Sequence, residues 1–396
     1  MDARGDVRVR TDSRSPLSVT RALLERRWGK LQAAMAASDI DALVLAGRGV
    51  LTCYGLVAYA TAYTPLIRTA YALLGREGEP TVWLASDVDA EAAAERSGLA
   101  DIRMTGEMHA APGARPTAAL VAAEIRARGA TRIGVAGLAD IIPRSEAALL
   151  EEGLHGVSVT DATALVKNVK QTKDADEVAG LRSALTLATE TYDAAPAMLQ
   201  PGAPAQGVVA ELELMLRADG ATELLVFVHA GLHIVKRVTD TVLSEGDLVT
   251  VCVEVADRYG YWVEIAGLFS LGEPSEPALN LTAGCYEALR LAGERLRDGQ
   301  PVAAATIALD EVAERRNLTT QLGLGHGIGI DHDLPILHSE SDAAFEAGQV
   351  ISVHPSLSDA ERGIGALVAD AFHVTPTGAQ RLSTLPLELT VVRSDG

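Results

Sequence analysis

Basic residues are scarce in this chain. Against 53 aspartates and glutamates stand 34 lysines and arginines, a formal net charge of −19 over 396 residues. A chain so acidic has no broad basic face with which to grip nucleic acid or an anionic membrane. Cysteine is scarcer still. Cys53, Cys252 and Cys285 lie far apart with no C-x-x-C pair, which excludes a disulfide framework and a thiolate zinc finger. No apolar run reaches 18 residues, and the opening MDARGDVRVRTDSRSP has no apolar stretch behind it, so neither a membrane span nor a signal peptide is expected. A soluble protein of a reducing compartment, the cytoplasm, is the expectation. With 48% hydrophobic residues there is ample material for cores, and the length suggests two domains.

The patterning divides the chain. Residues 1–15 are polar and charge-mixed and read as a flexible arm. From 16 to 170, helical stretches such as ALLERRWGKLQAAMAASD alternate with short apolar runs, IDALVLAG, PTVWLAS and TRIGVAG. That alternation predicts an α/β domain around a parallel or mixed sheet. The lysine-rich KNVKQTKDAD reads as a surface linker, and a helix should open behind it at Asp174 or Asp176. From 171 to 396 the pattern is α+β. Two helices, the second closed by Gly220, precede the strand-like GDLVTVCVEVAD and YGYWVEIAGLFSLG with a DRYG turn between them. Two more helices follow, and then the closing strands GQVISVHPSL, ALVADAFHVTPTG and PLELTVV.

Five segments of this second half, QTKDADEVAGLRSA, LQPGAPAQGVVAELELMLRADGA, the 239–272 hairpin, GLGHGIGIDHDLPI, and AGQVISVHPSL with ADAFHVTPTGAQRLS, resemble in order the creatinase/aminopeptidase P/methionine aminopeptidase group. The resemblance implies a pita-bread fold preceded by a creatinase-like N-terminal domain. It also implies a ligand set, since peptidases of this group hold two divalent ions with two Asp, one His and two Glu. Here the first Asp position falls on Cys252 or Val253 and the second on Glu264. The histidine is His326, the first Glu position is His354, and the second is Ala369, followed by Asp370. Two bridged dications call for about four anionic ligands, which Glu264 alone does not supply. The expectation is therefore an enzyme without a dinuclear metal centre or any required cofactor. It would work like creatinase, by acid–base chemistry on a small polar metabolite, most simply by hydrolysing a C–N bond. Creatine itself fits poorly, because the creatinase carboxylate and arginine positions carry Ala266 and Gly267.

Glu264, His326 and His354 are the expected catalytic trio, and two imidazoles with one carboxylate leave room for a single divalent metal. His332 and His233 are further catalytic candidates. Cys252, Glu254, Asp333 and Tyr261 are candidate substrate-binding residues. Arg68 joins them through the resemblance, as an arginine that the partner's N-terminal domain of a homodimer offers to a substrate carboxylate. Other readings of the same pocket are a lyase, decarboxylase or isomerase step in secondary metabolism, and a catalytically silent module that binds peptides.

Overall fold

The computed structural model describes residues 7–8, 21–109, 114–233 and 240–393. Two compact units divide at Lys170 and Gln171.

The N-terminal unit is built on a seven-stranded mixed sheet. An interior strand, Ala42–Gly47, pairs parallel with Arg132–Ala136 and antiparallel with Ala70–Gly75. All six residues of that strand are buried, as expected for a strand covered on both faces. Helix Arg21–Ala37 buries Leu24, Trp28, Leu31 and Met35 at three- and four-residue spacing. Of the expected arm, only Val7–Arg8 falls among the described residues, where it pairs antiparallel with Met104 and Arg103.

The segment read as a linker is structured instead. Helix Thr163–Lys170 occupies its first half, and Lys170 and Lys173 are both buried. Lys173 sits at the helix entry because its ammonium, 2.9 Å from the Asp333 carboxylate, is paired there. Asp174 then caps helix Ala175–Ala194, accepting the backbone N–H groups of Asp176 and Glu177 while Glu177 reaches back to the cap.

The C-terminal unit combines helices with several sheets. Strand Leu248–Ala256 lies between Glu223–Ala230 and Trp262–Leu271, and parallel strand Thr390–Val392 completes the four-stranded sheet. A five-stranded sheet, in spatial order Asp331–Leu337, Gly325–Gly329, Val350–Val353, Asp370–Thr375 and Gly378–Arg381, supplies the other wall. Ala266 and Ala369 exchange backbone hydrogen bonds of 3.1 and 3.0 Å and stitch the two sheets together. Helices Glu276–Arg295 and Ala303–Arg316 pack on the second wall, around a core that includes Leu281, Leu289, Leu309 and Val353.

The expected DRYG turn closes the hairpin. The Asp257 carboxylate accepts the N–H groups of Tyr259 and Tyr261 at 2.9 and 3.0 Å, and Gly260 takes φ +82°. Burial pushes the Asp257 carboxyl up to about 6, against the two backbone donors that favour its charge. Because this pKa is higher folded than unfolded, the native state binds the proton more tightly. Stability should therefore fall as pH rises from about 4 to about 6, by about 2–3 kcal/mol. Asp257→Asn keeps an oxygen for both donors and should remove this pH dependence in urea melts at pH 4 and pH 7. An unchanged dependence would refute the assignment.

Candidate active site

The site grows from strand register. Across the four-stranded sheet Leu225 stands opposite Glu254 and Glu254 opposite Glu264; one step along, Phe227 stands opposite Cys252 and Cys252 opposite Ala266. Alternation along the central strand puts Thr250, Cys252 and Glu254 on the same face and Val253 on the other. Two carboxylates directly opposite each other repel, so each needs its own support. Glu254 Oε1 accepts the Trp262 indole N–H at 2.7 Å and lies 2.9 Å from His332 Nε2. Glu264 Oε2 accepts the Ser352 hydroxyl at 2.7 Å, and the Cys252 thiol points at its Oε1 from 3.7 Å.

Three imidazoles face these carboxylates. His326 stacks on His332 with centroids 4.1 Å apart, and the His354 ring lies 5.4 Å from that of His326. His326 Nδ1 sits 3.0 Å from the Gly327 carbonyl oxygen. An N–H donated there leaves Nε2 with its lone pair, the tautomer a metal ligand needs. The flanking glycines answer to the sheet rather than to a ligand. A Cβ on Gly325 would lie 2.0 Å from the Ser352 carbonyl oxygen, and one on Gly327 2.1 Å from that of Leu334.

Electrostatics separate the rings. Burial, with the neighbouring His332 and His354, takes His326 down to about 4. For His332 burial pulls the same way, but the hydrogen bond and charge of Glu254 outweigh it and hold the ring above its ordinary value. Burial, and then the charges of Glu264 and Glu254, push the Cys252 thiol well up, so it stays protonated and unreactive.

The structure thus brings Glu264, His326, His354, His332, Glu254 and Cys252 around one cavity of about 200 Å³. It does not bring the others there. Asp333 is turned to the opposite face of its strand, where it pairs with Lys173. The Tyr261 ring is buried against Gly180, close enough that a Cβ there would meet it at 2.3 Å. His233 is exposed and outside the cavity lining, and Arg68 is exposed on the N-terminal unit with φ +61°. Val235, near which the resemblance puts a second family histidine ahead of the hairpin, lies outside the described residues. Asp370 is no substitute for the missing carboxylate at Ala369, because Arg381 and Ser383 hold its buried side chain. Sequence reasoning assigned no functional role to Ser352 or to Trp262. Ser352 carried a usable signal, since it shares strand parity with His354, two residues on.

A scan against family models matches residues 179–376 to metallopeptidase family M24 and residues 27–170 to the creatinase/prolidase N-terminal domain. The chain belongs to family M24. This M24 chain is 28% identical over 244 residues to the probable dipeptidase PepE of Mycobacterium tuberculosis, a match covering 60% of the chain and 65% of that protein. It thus spans just under two thirds of the curated relative. Among solved structures, the Xaa-Pro dipeptidase of Bacillus anthracis superposes with a TM-score of 0.78 at 22% identity, covering 93% of this chain and 99% of that one. Dipeptidase PepE of Mycobacterium ulcerans gives 0.75 at 25% identity, covering 94% and 98%.

These findings correct the expectation of a metal-independent, creatinase-like enzyme, and with it the lyase, isomerase and silent-module alternatives. The family is one of metallopeptidases, and dipeptidases stand among the relatives. The expectation of no cofactor falls for a structural reason too. It counted carboxylates by aligned position and gave Glu254 no place among the ligands, although the register sets Glu254 against Glu264. Two groups of ligand atoms, Glu254–His326–His332 and Glu264–His326–His354, each lie within 4.8 Å of one another. Two or three imidazole nitrogens with a carboxylate oxygen suit a divalent transition metal. The donor set fits such an ion, although it does not reproduce four bridging carboxylates.

Proposed function

We propose that this M24 chain is a metal-dependent hydrolase of the peptide-type C–N bond in dipeptides or substrates of similar size. One observation carries the reading: in a chain of a metallopeptidase family, Glu254, Glu264, His326, His332 and His354 converge on a single cavity. Its size suits the reading, since about 200 Å³ is below the roughly 300–1,000 Å³ of drug-sized ligand sites. Glu264, His326 and His354 would hold the metal, with Glu254 and His332 beside them. The chemistry supplied by a divalent ion in that position would be Lewis-acid polarisation of a carbonyl and acidification of water.

The protein's own groups set the geometry. Ser352 fixes the rotamer of Glu264, and the Gly327 carbonyl fixes the tautomer of His326. Trp262 holds Glu254, and Glu254 orients His332, whose Nε2 can keep or pass a proton at the cavity wall. The departure from the four-carboxylate set distinguishes this site from an ordinary dinuclear metallopeptidase. A homodimer and a cytoplasmic location belong to the same reading, supported by the family resemblance and the composition.

Protein incubated with Mn²⁺, Co²⁺ or Zn²⁺ should hydrolyse members of a dipeptide panel that includes Xaa-Pro. The activity should disappear in chelator and return with added metal. Light scattering on the same sample should give twice the chain mass. Dipeptide hydrolysis that persists in chelator, or none in the whole panel with any of the ions, would overturn the proposal.

A further inference from the structure

One end of the cavity is acidic and histidine-rich, and the other is apolar. Phe227, Cys252, Ala266, Leu367 and Ala369 form a small buried cluster of their own, with Leu225 packed against it. Register places this cluster one row from the acids, because Phe227–Cys252–Ala266 runs beside Leu225–Glu254–Glu264 across the same three strands. Leu225, Phe227 and Leu367 line the cavity, together with Leu322 from the far side. Among the described residues that line the cavity there is no lysine or arginine. At Ala369, where the family resemblance calls for a carboxylate, a methyl group stands instead. The change is from an anionic wall to an apolar one, within reach of whatever the histidines and glutamates hold.

We propose that this wall is the side-chain subsite of the enzyme: Leu225, Phe227 and Leu367 receive an aliphatic side chain on the substrate residue whose carbonyl lies at Glu264, His326 and His354. The assignment rests on the hydrolase reading above and adds the class of residue selected. An aliphatic side chain there leaves water for a surface that offers it no unsatisfied polar partner. A polar side chain of the same shape loses its hydrogen bonds to water and finds none in return from Leu225, Phe227 and Leu367, while the one hydroxyl nearby, that of Thr250, already accepts the Leu367 N–H at 3.3 Å. Leucine and asparagine are close in shape and differ in this respect, so they make the cleanest comparison.

The test uses the full-length, metal-incubated protein with leucinamide and asparaginamide as binding probes in calorimetry, and Leu-Gly and Asn-Gly as substrates. Leucinamide should bind at least about 10-fold more tightly, and kcat/KM should favour Leu-Gly by a similar factor. Leu225→Asn, at a half-buried position, should reduce the binding preference at least about 3-fold; Leu225→Ala, which only removes volume, should weaken leucinamide alone. Preferential leucinamide binding with neither dipeptide cleaved would uphold the subsite and overturn the hydrolase reading. Cleavage of both dipeptides with no preference would overturn the subsite and leave the hydrolase reading standing. Binding of neither amide would overturn the subsite.

Discussion

His326→Ala is expected to lower kcat/KM for a cleaved dipeptide by about 10³-fold or more, while the thermal unfolding curve stays within a few degrees of the wild type. The size follows from the position of His326. It is the one residue common to both groups of ligand atoms, so its loss leaves each with two donors. A metal's stabilisation of transition-state charge is worth several kcal/mol, and about 1.4 kcal/mol corresponds to each factor of ten. The fold should survive, because the residue is only partly buried and its ring hydrogen-bonds to the adjacent Gly327 carbonyl rather than to a distant element. Metal content by elemental analysis should fall with activity. A variant that keeps both would remove His326 from the centre. Ser352→Ala gives the contrasting case: the Glu264 carboxylate stays but loses its hydroxyl donor, and a loss of about 10–100-fold is expected, as for other groups that orient a metal ligand.

Lys173→Met should cost the C-terminal unit about 3–5 kcal/mol, the usual penalty for breaking a buried ion pair by removing one member. The side chains of Lys173 and Asp333 are only 2% and 1% exposed, and the ammonium also donates to the Gln171 carbonyl at 2.8 Å. Removing the ammonium takes the cation at 2.9 Å away from a buried carboxylate, in a strand that pairs directly with the His326 strand. The unfolding midpoint should drop by about 10 °C, given a shift of about 2–4 °C per kcal/mol for a unit of this size. The double variant Lys173→Met, Asp333→Leu removes both charges and should recover most of the loss. A single variant as stable as the wild type, by calorimetry at neutral pH, would show that the pair contributes nothing.

The same pair shows where local reading runs out. KNVKQTKDAD has the composition of a solvated linker, and nothing nearby in sequence says that Lys173 will be buried. Its partner lies 160 residues further on. Asp333, next to a pocket histidine, read as a substrate-binding residue for a related reason. On a strand, neighbours point to opposite faces, and only the sheet decides which face borders the cavity. Glu254 shows the reverse. Its alternation with Cys252 was visible, but its standing as the second pocket carboxylate depended on the hairpin register that sets it against Glu264.

Sequence alone determined the α/β-then-α+β order, the capped helix after residue 173, the DRYG turn and the convergence of Glu264, His326 and His354 on one cavity. Each of these is written in local chemistry or in the spacing of a family motif: a capping aspartate, a turn glycine, a histidine between glycines. Tertiary structure alone decided that Trp262 and Ser352 hold the two carboxylates, that His332 joins the cavity while Asp333 and Tyr261 leave it, and that an apolar row lies beside the acidic one. These facts arise from pairing between strands distant in sequence. A one-residue change in that pairing would turn every side chain to the opposite face without altering a letter of the sequence.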